Sequence, residues 1–268
     1  MATITAFEAG YCTHPGCVAL RGAGFSACAF PSRCYLLQAN GRRWLWDTGY
    51  ASHFLDHTRR GVFALYRKVT PVYFDAADAI AAQLAREGLR PADLDGIVVS
   101  HFHGDHIAGL RDFPGVPMIC SGDGWRTTRP LRGIAALRRG FVPGLMPDDF
   151  DTRARFVESF ERVALPAALA PFEHAYALPD AGGDILLVEL PGHAAGHLGA
   201  FVATDSGWVL LASDSAWSPQ GYREPRGPSR IAHLIMDDPR AYYATLDRLH
   251  RLDAGGRATI LLTHEGAL

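Results

Sequence analysis

The stretch Ser100-His101-Phe102-His103-Gly104-Asp105-His106 follows a continuous apolar run of the chain. That run, Gly96 to Ser100, is typical of a buried strand, because its apolar residues are unbroken rather than alternating. His101 and His103 alternate along the extended chain that follows, so both imidazole rings can point to the same side. The stretch therefore gathers several polar side chains at the end of one buried strand.

The same stretch carries more metal-binding groups than one ion needs. Asp105 and His106 turn back at the start of a helix, which the pattern predicts from Ile107 to Phe113. Imidazole nitrogen and carboxylate oxygen are ligands that suit Zn²⁺. Three histidines and one aspartate so close together fit two metal ions better, each with an open position for water. A polar surface loop, the ordinary alternative, does not explain so dense a run after a buried strand.

Four further predicted strands end in residues of the same chemical types. These strands are Arg43 to Trp46, Ile185 to Leu190, Trp208 to Ala212 and Thr259 to Thr263, and the residues that follow them are Asp47, His193, Asp214 and His264. Ligand sites of α/β proteins favour the carboxyl ends of the strands. If the strands share one edge direction, all of these groups converge on a single site.

The composition is that of an ordinary globular protein. The chain has 268 residues, of which 48% are hydrophobic, and 26 basic against 28 acidic residues give a net charge of −2. No apolar stretch approaches a membrane span, and the first residues lack the basic start and apolar core of a secretory leader. A nearly neutral chain does not favour nucleic acid as a partner. Five cysteines cannot all pair internally, so free thiols in a reducing cytoplasm are the simplest interpretation.

Strands alternating with helical patterns predict an α/β protein that forms one domain over residues 1–268. Asp75 is a candidate cap for a helix that runs to Arg86, and Asp238-Pro239 is a start signal for a helix through Leu249. Residues 112–180 are rich in proline, with short helical pieces between the prolines. We interpret them as an insertion packed on the main body, with room to shape a substrate site.

The histidine-rich run and the later strand ends, in this order along the chain, resemble the metallo-β-lactamase superfamily. The resemblance covers Asp47 to His264 and implies an αββα four-layer sandwich with a dinuclear site, usually of zinc, although the ligand set also tolerates iron or manganese. By position, one metal would be held by His101, His103 and His193, and the other by Asp105, His106 and His264. Asp214 would bridge the two metals, and Asp47 would support the site through hydrogen bonds.

Within the superfamily, the chain looks like the N-acyl homoserine lactonase branch. The residues that carry this resemblance are Asp47-Thr48-Gly49-Tyr50, Leu94 to His101 and Leu190 to His197. It implies a small lactone or carboxylic ester as substrate, attacked by a hydroxide that bridges the metals, with Asp105 passing a proton to the leaving group. True β-lactamases of the superfamily lack a bridging aspartate, so Asp214 argues against antibiotic hydrolysis. Trp217 stands where many of these lactonases have a tyrosine, and it is either a wall of the pocket or a core residue.

Three other functions remain open. A tRNA-processing type of nuclease shares the glycine between the ligands, and Arg126, Arg129, Arg132, Arg138 and Arg139 are a candidate phosphate-binding cluster. We favour a solvated helix face for these arginines. A glyoxalase-type thioesterase resembles the segment around His193. A metal-free binding protein on the same fold would be expected to lack part of the ligand set.

The remaining cysteines and the quaternary structure give weaker expectations. Cys12, Cys17, Cys28 and Cys34 cluster near the start of the chain, but their spacings are not those of zinc ribbons. We therefore expect thiols there rather than a further structural zinc. The sequence does not determine the oligomeric state, the metal or the acyl group of the substrate.

Overall fold

The computed structural model describes residues 1–224 and 226–266. Each predicted apolar run forms a strand, and the ends agree to within two residues. The strands in chain order are β1 (Thr3–Pro15), β2 (Ala27–Ala39), β3 (Arg42–Trp46), β4 (Val72–Tyr73), β5 (Gly96–Val98), β6 (Met118–Cys120), β7 (Ala154–Phe156), β8 (Arg162–Ala164), β9 (His174–Ala177), β10 (Ile185–Glu189), β11 (Leu198–Thr204), β12 (Gly207–Ser213) and β13 (Ala258–Leu262).

The helices are mostly short. In chain order they are α1 (Gly16–Ala19), α2 (Ser52–His57), α3 (Ala64–Val69), α4 (Ile80–Arg86), α5 (Gly104–Ile107), α6 (Gly122–Thr128), α7 (Gly133–Leu137), α8 (Phe150–Arg153), α9 (Pro219–Arg223) and α10 (Pro239–Ala254). Short 3₁₀ helices lie at Gly61–Phe63, Ala76–Asp78, Pro91–Asp93, Leu110–Asp112, Pro143–Leu145, Val157–Ser159, Ala167–Leu169 and Arg230–Leu234.

The strands form two sheets. The first has the order β4-β1-β2-β3-β5-β6-β7, and the second has the order β13-β12-β11-β10-β9-β8. In the first sheet β3, β5, β6 and β7 run parallel, so their carboxyl ends lie at the same edge. In the second sheet β12 and β13 are the parallel pair. This arrangement brings the predicted ligand positions of both sheets to a common edge.

The two sheets pack face to face over a shared apolar layer. Leu37, Trp44 and Trp46 of the first sheet meet Leu187 and Leu211 of the second in this layer, and all five are buried. A second apolar layer covers the other face of the first sheet, beneath α2, α4 and α8. A third lies between the second sheet and α10. The order of layers is therefore helix, sheet, sheet, helix, which confirms the predicted αββα four-layer sandwich.

Two predicted helices differ from those in the structure. Asp75 does act as a cap, but it caps the 3₁₀ turn Ala76–Asp78, and α4 begins only at Ile80 because Ala79 is extended (φ −55°, ψ 133°). The helix predicted from Ile107 to Phe113 was wrong in its bounds. Helix α5 ends at Ile107, and a 3₁₀ turn, Leu110–Asp112, follows it.

Helix α10 begins as the sequence predicts. The Asp238 carboxylate accepts hydrogen bonds from the backbone N–H groups of Arg240 and Ala241, and Pro239 occupies the first turn. The helix continues to Ala254, beyond the predicted end at Leu249, because its apolar face continues to the buried Leu252. This longer face covers the outer side of the second sheet.

Residues 112–180 supply strands to both sheets, since β6 and β7 extend the first sheet while β8 and β9 extend the second. That this segment shapes the substrate site remains a prediction. Across the described residues, no helix combines the length and the apolar character needed to cross a membrane.

Candidate metal centre

The seven predicted ligands lie together where the carboxyl ends of the central strands meet. The chain after β5, including α5, carries His101, His103, Asp105 and His106, whereas the segments that follow β10, β12 and β13 carry the rest. All seven are buried, and His103 and Asp105 are the most exposed, at 7% and 8%. Both sheets therefore contribute to one enclosed site.

A first group consists of His101, His103, His193 and Asp214. One ligand atom from each residue lies within 4.8 Å of the others. His103 Nδ1 is 3.0 Å from His193 Nε2, which is 3.4 Å from Asp214 Oδ2. Three imidazoles and a carboxylate at this spacing form a donor set that suits a divalent cation.

A second group consists of Asp105, His106, Asp214 and His264, again with one ligand atom each within 4.8 Å of the others. His264 Nε2 lies 3.1 Å from Asp214 Oδ2 and 3.5 Å from Asp105 Oδ2. His106 Nε2 lies 3.4 Å from Asp214 Oδ1. Asp214 belongs to both groups, so its carboxylate is the one placed to touch two cations.

Several atoms of these groups have no hydrogen-bond partner among the described residues. They include His101 Nε2, His106 Nε2 and Asp214 Oδ1, all of them buried. A buried polar atom without a partner costs about 1–3 kcal/mol. The donor set therefore fits a bound cation, which would occupy these lone pairs.

Hydrogen bonds fix which nitrogen of His106 and of His264 faces the site. His106 Nδ1 lies 2.8 Å from Asp47 Oδ2, and His264 Nδ1 donates to the Pro31 carbonyl over 2.7 Å. A proton held at Nδ1 by such an acceptor leaves the Nε2 lone pair free. In both residues that lone pair points to Asp214.

Asp47 has a strained backbone at the end of β3, with φ +57°. Its Oδ1 accepts from the Ser100 N–H over 2.8 Å, and its Oδ2 accepts from the Ser100 hydroxyl over 2.7 Å. Left-handed backbone is costly for a residue with a side chain. The strain aims a fully buried carboxylate at the start of the ligand run, and there it orients His106.

Burial keeps the imidazoles of the first group neutral. It lowers the pKa of His103 to about 4, and it lowers the pKa values of His101 and His193 well below their usual range, helped by neighbouring histidines. Neutral imidazole is the form that binds a metal. These residues are therefore ready to bind a cation at neutral pH.

Carboxylates dominate the second group. Burial alone would lower the pKa of His106, but Asp105, Asp47 and Asp214 raise it well above its usual range. At His264, burial again acts to lower the pKa, but Asp214 raises it above its usual value. The buried negative charge of these carboxylates therefore favours the protonated form of both imidazoles. A divalent cation would supply that positive charge instead.

Trp217 holds the shared carboxylate in place. Its indole Nε1 donates to Asp214 Oδ2 over 3.1 Å, and its ring lies edge-to-face against His193, with the centroids 5.6 Å apart. The side chain is 5% exposed. Because an indole has a single donor, that donor is not free to bind a substrate carbonyl.

His197 supports the same carboxylate segment from behind. Its Nδ1 donates to the Leu190 carbonyl over 2.8 Å, and its Nε2 accepts from the Asp214 N–H over 3.3 Å. With both ring nitrogens engaged, His197 has no lone pair left for a metal.

Sequence reasoning missed two contributors to the site. The Ser32 hydroxyl donates to the Asp105 carbonyl over 2.6 Å, from a part of β2 that carries no recognisable motif. Gly140 adopts φ +60°, and a Cβ there would lie 2.7 Å from His103 Cδ2. The arginine-glycine sequence gave no signal for so close an approach.

The five arginines of the candidate phosphate-binding cluster are exposed and differ in their partners. Arg126 pairs with Asp123, Arg129 with Asp151 and Arg139 with Asp237. The side chain of Arg132 donates to two backbone carbonyls. Of these five arginines, Arg138 alone has a side chain with neither an ion pair nor a hydrogen bond to the described residues.

The cysteines near the start of the chain are all free thiols, and none joins either metal-binding group. Cys12 and Cys34 are buried in the core beside the first sheet, whereas Cys17 and Cys28 are partly exposed.

Known proteins resemble this chain in both sequence and fold. A probable metallo-hydrolase of Mycobacterium tuberculosis is 33% identical over 177 residues, which are 63% of this chain and 51% of that protein. This chain therefore spans about half the length of that relative. An N-acyl homoserine lactonase of Bacillus thuringiensis is 26% identical over 238 residues, covering 88% of this chain and 81% of the lactonase.

A solved N-acyl homoserine lactone hydrolase, with N-hexanoyl-L-homoserine bound at its catalytic metal centre, has the same fold. It aligns with 98% of this chain and 92% of its own, with a TM-score of 0.73 and 20% identity. The sequence model of the metallo-beta-lactamase superfamily matches residues 29–264, which include every predicted ligand. The chain therefore belongs to the metallo-beta-lactamase superfamily.

Proposed function

We propose that the protein is a dinuclear metal-dependent hydrolase that opens lactones or related carboxylic esters. The observation that carries the proposal is the pair of buried four-residue groups that share Asp214. Each group offers nitrogen and oxygen ligands suited to zinc, iron or manganese. We assign one metal to His101, His103 and His193, the other to Asp105, His106 and His264, and the bridge to Asp214.

When bound, two such cations supply a hydroxide at neutral pH and a Lewis acid for the substrate carbonyl. The protein contributes the placement of its own groups. Asp47 and the Pro31 carbonyl orient His106 and His264, while Trp217 and His197 hold the Asp214 segment. These contacts keep His106, His264 and Asp214 aimed inward before a substrate arrives.

Asp105 is the carboxylate best placed to handle a proton. It is 8% exposed, against 2% for Asp214 and none for Asp47. As the ester C–O bond breaks, the leaving alkoxide oxygen needs a proton to depart as an alcohol. We assign its delivery to the Asp105 carboxyl, which takes that proton from the attacking water.

The sequence relationship to an N-acyl homoserine lactonase supports esters and lactones as the first class to test. The donor of Trp217 is bound to Asp214, so carbonyl polarisation would fall to the metals. The free thiols fit a reducing compartment, and we propose a cytoplasmic location on that ground.

The test is a hydrolysis panel on protein loaded with zinc, iron or manganese. It compares acyl homoserine lactones, aryl esters, an acyl thioester and bis-p-nitrophenyl phosphate by kcat/KM, with metal-stripped protein as the control. We expect the highest kcat/KM for a lactone or ester and loss of activity on stripping. Highest activity on the phosphodiester would favour the nuclease alternative, and on the thioester the glyoxalase type. No turnover in any metal form would refute the proposal.

A further inference from the structure

A small recess, which we call the narrow opening, lies beside the first metal-binding group. It has a volume of about 20 Å³ and lies against His103 and His193, with Phe102, Leu131 and Arg139 around it. A space of this size holds roughly one water molecule. The opening therefore leaves room for a small group beside His103 and His193.

Beyond the opening lies a larger cavity of about 450 Å³, which we call the outer cavity. It shares Leu131, Arg139 and Asp237 with the narrow opening, so the two spaces adjoin each other. Its volume falls in the range typical of small-molecule sites, roughly 300–1,000 Å³. A substrate reacting at the metal-binding groups would extend its far end into this cavity.

The walls of the outer cavity combine apolar groups with the charged Arg138, Arg139 and Asp237 and with His233. Leu131, Ala135, Leu234 and Met236 supply the apolar part, with Arg138 and Arg139 beside them. Apolar walls with a few placed charges are typical of small-molecule sites, in which the charges select the ligand.

The two guanidinium groups differ in what they already bind. Arg139 Nη1 donates to the Met236 carbonyl over 2.8 Å and lies 3.1 Å from Asp237 Oδ1, so its position is fixed and its charge is balanced. Among the described residues, the Arg138 side chain has no acceptor, unlike the four other arginines of the cluster. The outer cavity thus contains one uncompensated cation.

We propose that the outer cavity selects esters or lactones whose far end carries a carboxylate, bound by Arg138. This inference rests on the proposed hydrolase function and narrows its substrate class. A guanidinium binds a carboxylate through two parallel charge-assisted hydrogen bonds. The apolar walls would contact the methylene chain between the carboxylate and the reacting carbonyl, while the fixed Arg139 forms the wall beside it.

The test compares two matched esters on metal-loaded protein. One is the p-nitrophenyl half-ester of adipic acid, and the other is the same ester with its far carboxylate converted to a carboxamide. We expect kcat/KM to favour the carboxylate by about tenfold, the scale of a charge-assisted hydrogen bond. Arg138→Gln should remove this preference and leave the carboxamide ester unaffected, whereas Arg138→Lys should keep part of it.

Arg132→Gln is the matched control, because Arg132 is an exposed arginine of the same cluster that does not line the outer cavity. Arg132→Gln should leave kcat/KM unchanged for both esters. Equal kcat/KM for the two esters, or equal losses in the Arg132 and Arg138 variants, would overturn the inference.

Binding of adipate, measured by titration calorimetry, separates this inference from the proposed function. We expect Arg138→Gln to raise the Kd for adipate about tenfold and Arg132→Gln to leave it unchanged. If neither ester is hydrolysed, the proposed activity fails for these esters, and the calorimetry still decides the role of the cavity. A Kd for adipate that Arg138→Gln leaves unchanged would refute carboxylate binding in the outer cavity.

Discussion

At the scale of single residues, Asp214 concentrates the interactions of the site. Its Oδ2 receives the Trp217 N–H and lies near both His193 and His264, while its Oδ1 faces His106. The ligand types and their order along the chain were predictable from sequence, because each follows an apolar run. The Trp217 contact was not, because a tryptophan after a strand is equally compatible with a core or a pocket position.

We expect Asp214→Asn to lower kcat/KM by more than about a hundredfold, since even residues that only support ligands cost 10–100-fold when replaced. The substitution keeps the volume but removes the charge and one shared oxygen. Metal content should fall below that of the unaltered protein, as measured by elemental analysis on the same samples.

Asp205→Asn is the control for this substitution, because Asp205 lies exposed in the turn before β12. It should leave activity and metal content unchanged, and circular dichroism should show both variants folded. Near-normal turnover with full metal content in Asp214→Asn would disprove the bridging assignment.

At the scale of secondary-structure elements, sequence patterns found β3, β5, β10, β12 and β13 but missed other strands, among them the long hairpin of β1 and β2. Eleven paired positions join these two strands, and the register shifts between Glu8 and Tyr11. Gly10, with φ +72°, lies within this irregularity. The bulge breaks the period of two on which strand prediction depends. The helix predicted at Ile107–Phe113 is interrupted because Thr48 donates to the His106 carbonyl and accepts from the Gly109 N–H, and a 3₁₀ turn follows.

The two ends of α7 offer a matched pair of glycines. Gly133 and Gly140 have φ of +55° and +60°, so alanine at either one carries the same backbone strain. At Gly140 the new Cβ would lie 2.7 Å from His103 Cδ2, whereas at Gly133 it would meet none of the described atoms within 4 Å. We expect Gly140→Ala to weaken metal binding by at least about tenfold, because it displaces a ligand.

Backbone strain in Gly133→Ala should reduce the free energy of unfolding by about 1–2 kcal/mol, as it does in Gly140→Ala. Gly133→Ala should not change the metal affinity. Competition with a chromogenic chelator measures the affinity, and urea titration of the metal-stripped variants measures the stability. Equal metal affinities in the two variants would show that the contact with His103 does not matter.

At the scale of the whole molecule, the seven proposed ligands come from two sheets that also meet through apolar side chains and hydrogen bonds. Trp46 Nε1 donates to the Ser213 hydroxyl over 3.1 Å, and Tyr35 donates to the Leu262 carbonyl over 3.4 Å. The αββα order was predictable from the resemblance of the ligand run, but the strands that residues 112–180 add to both sheets were not. Those strands are only three or four residues long and carry little periodic signal.

We expect protein prepared without chelators to contain close to two metal ions per chain. A metal ion that binds only the folded state stabilises it by about 2.7 kcal/mol when its concentration is a hundred times Kd. Chelation should therefore lower the Tm by at least about 5 °C, given a shift of roughly 2–4 °C per kcal/mol at this chain length. Elemental analysis and a thermal melt before and after metal return provide the measurement. A Tm that does not change on chelation would contradict a metal site that stabilises the packing of the two sheets.

The outer cavity lies between the segment from Leu131 to Arg139, which includes α7, and the segment from His233 to Pro239, and neither segment supplies a proposed metal ligand. Substitutions in these two segments can therefore change the substrate range, while the residues that carry the reaction stay the same. Related enzymes with the same reactive centre can therefore differ in the substrates they accept. A mutant library restricted to these two segments would sample new substrates from a parent that still folds and still carries its reactive centre.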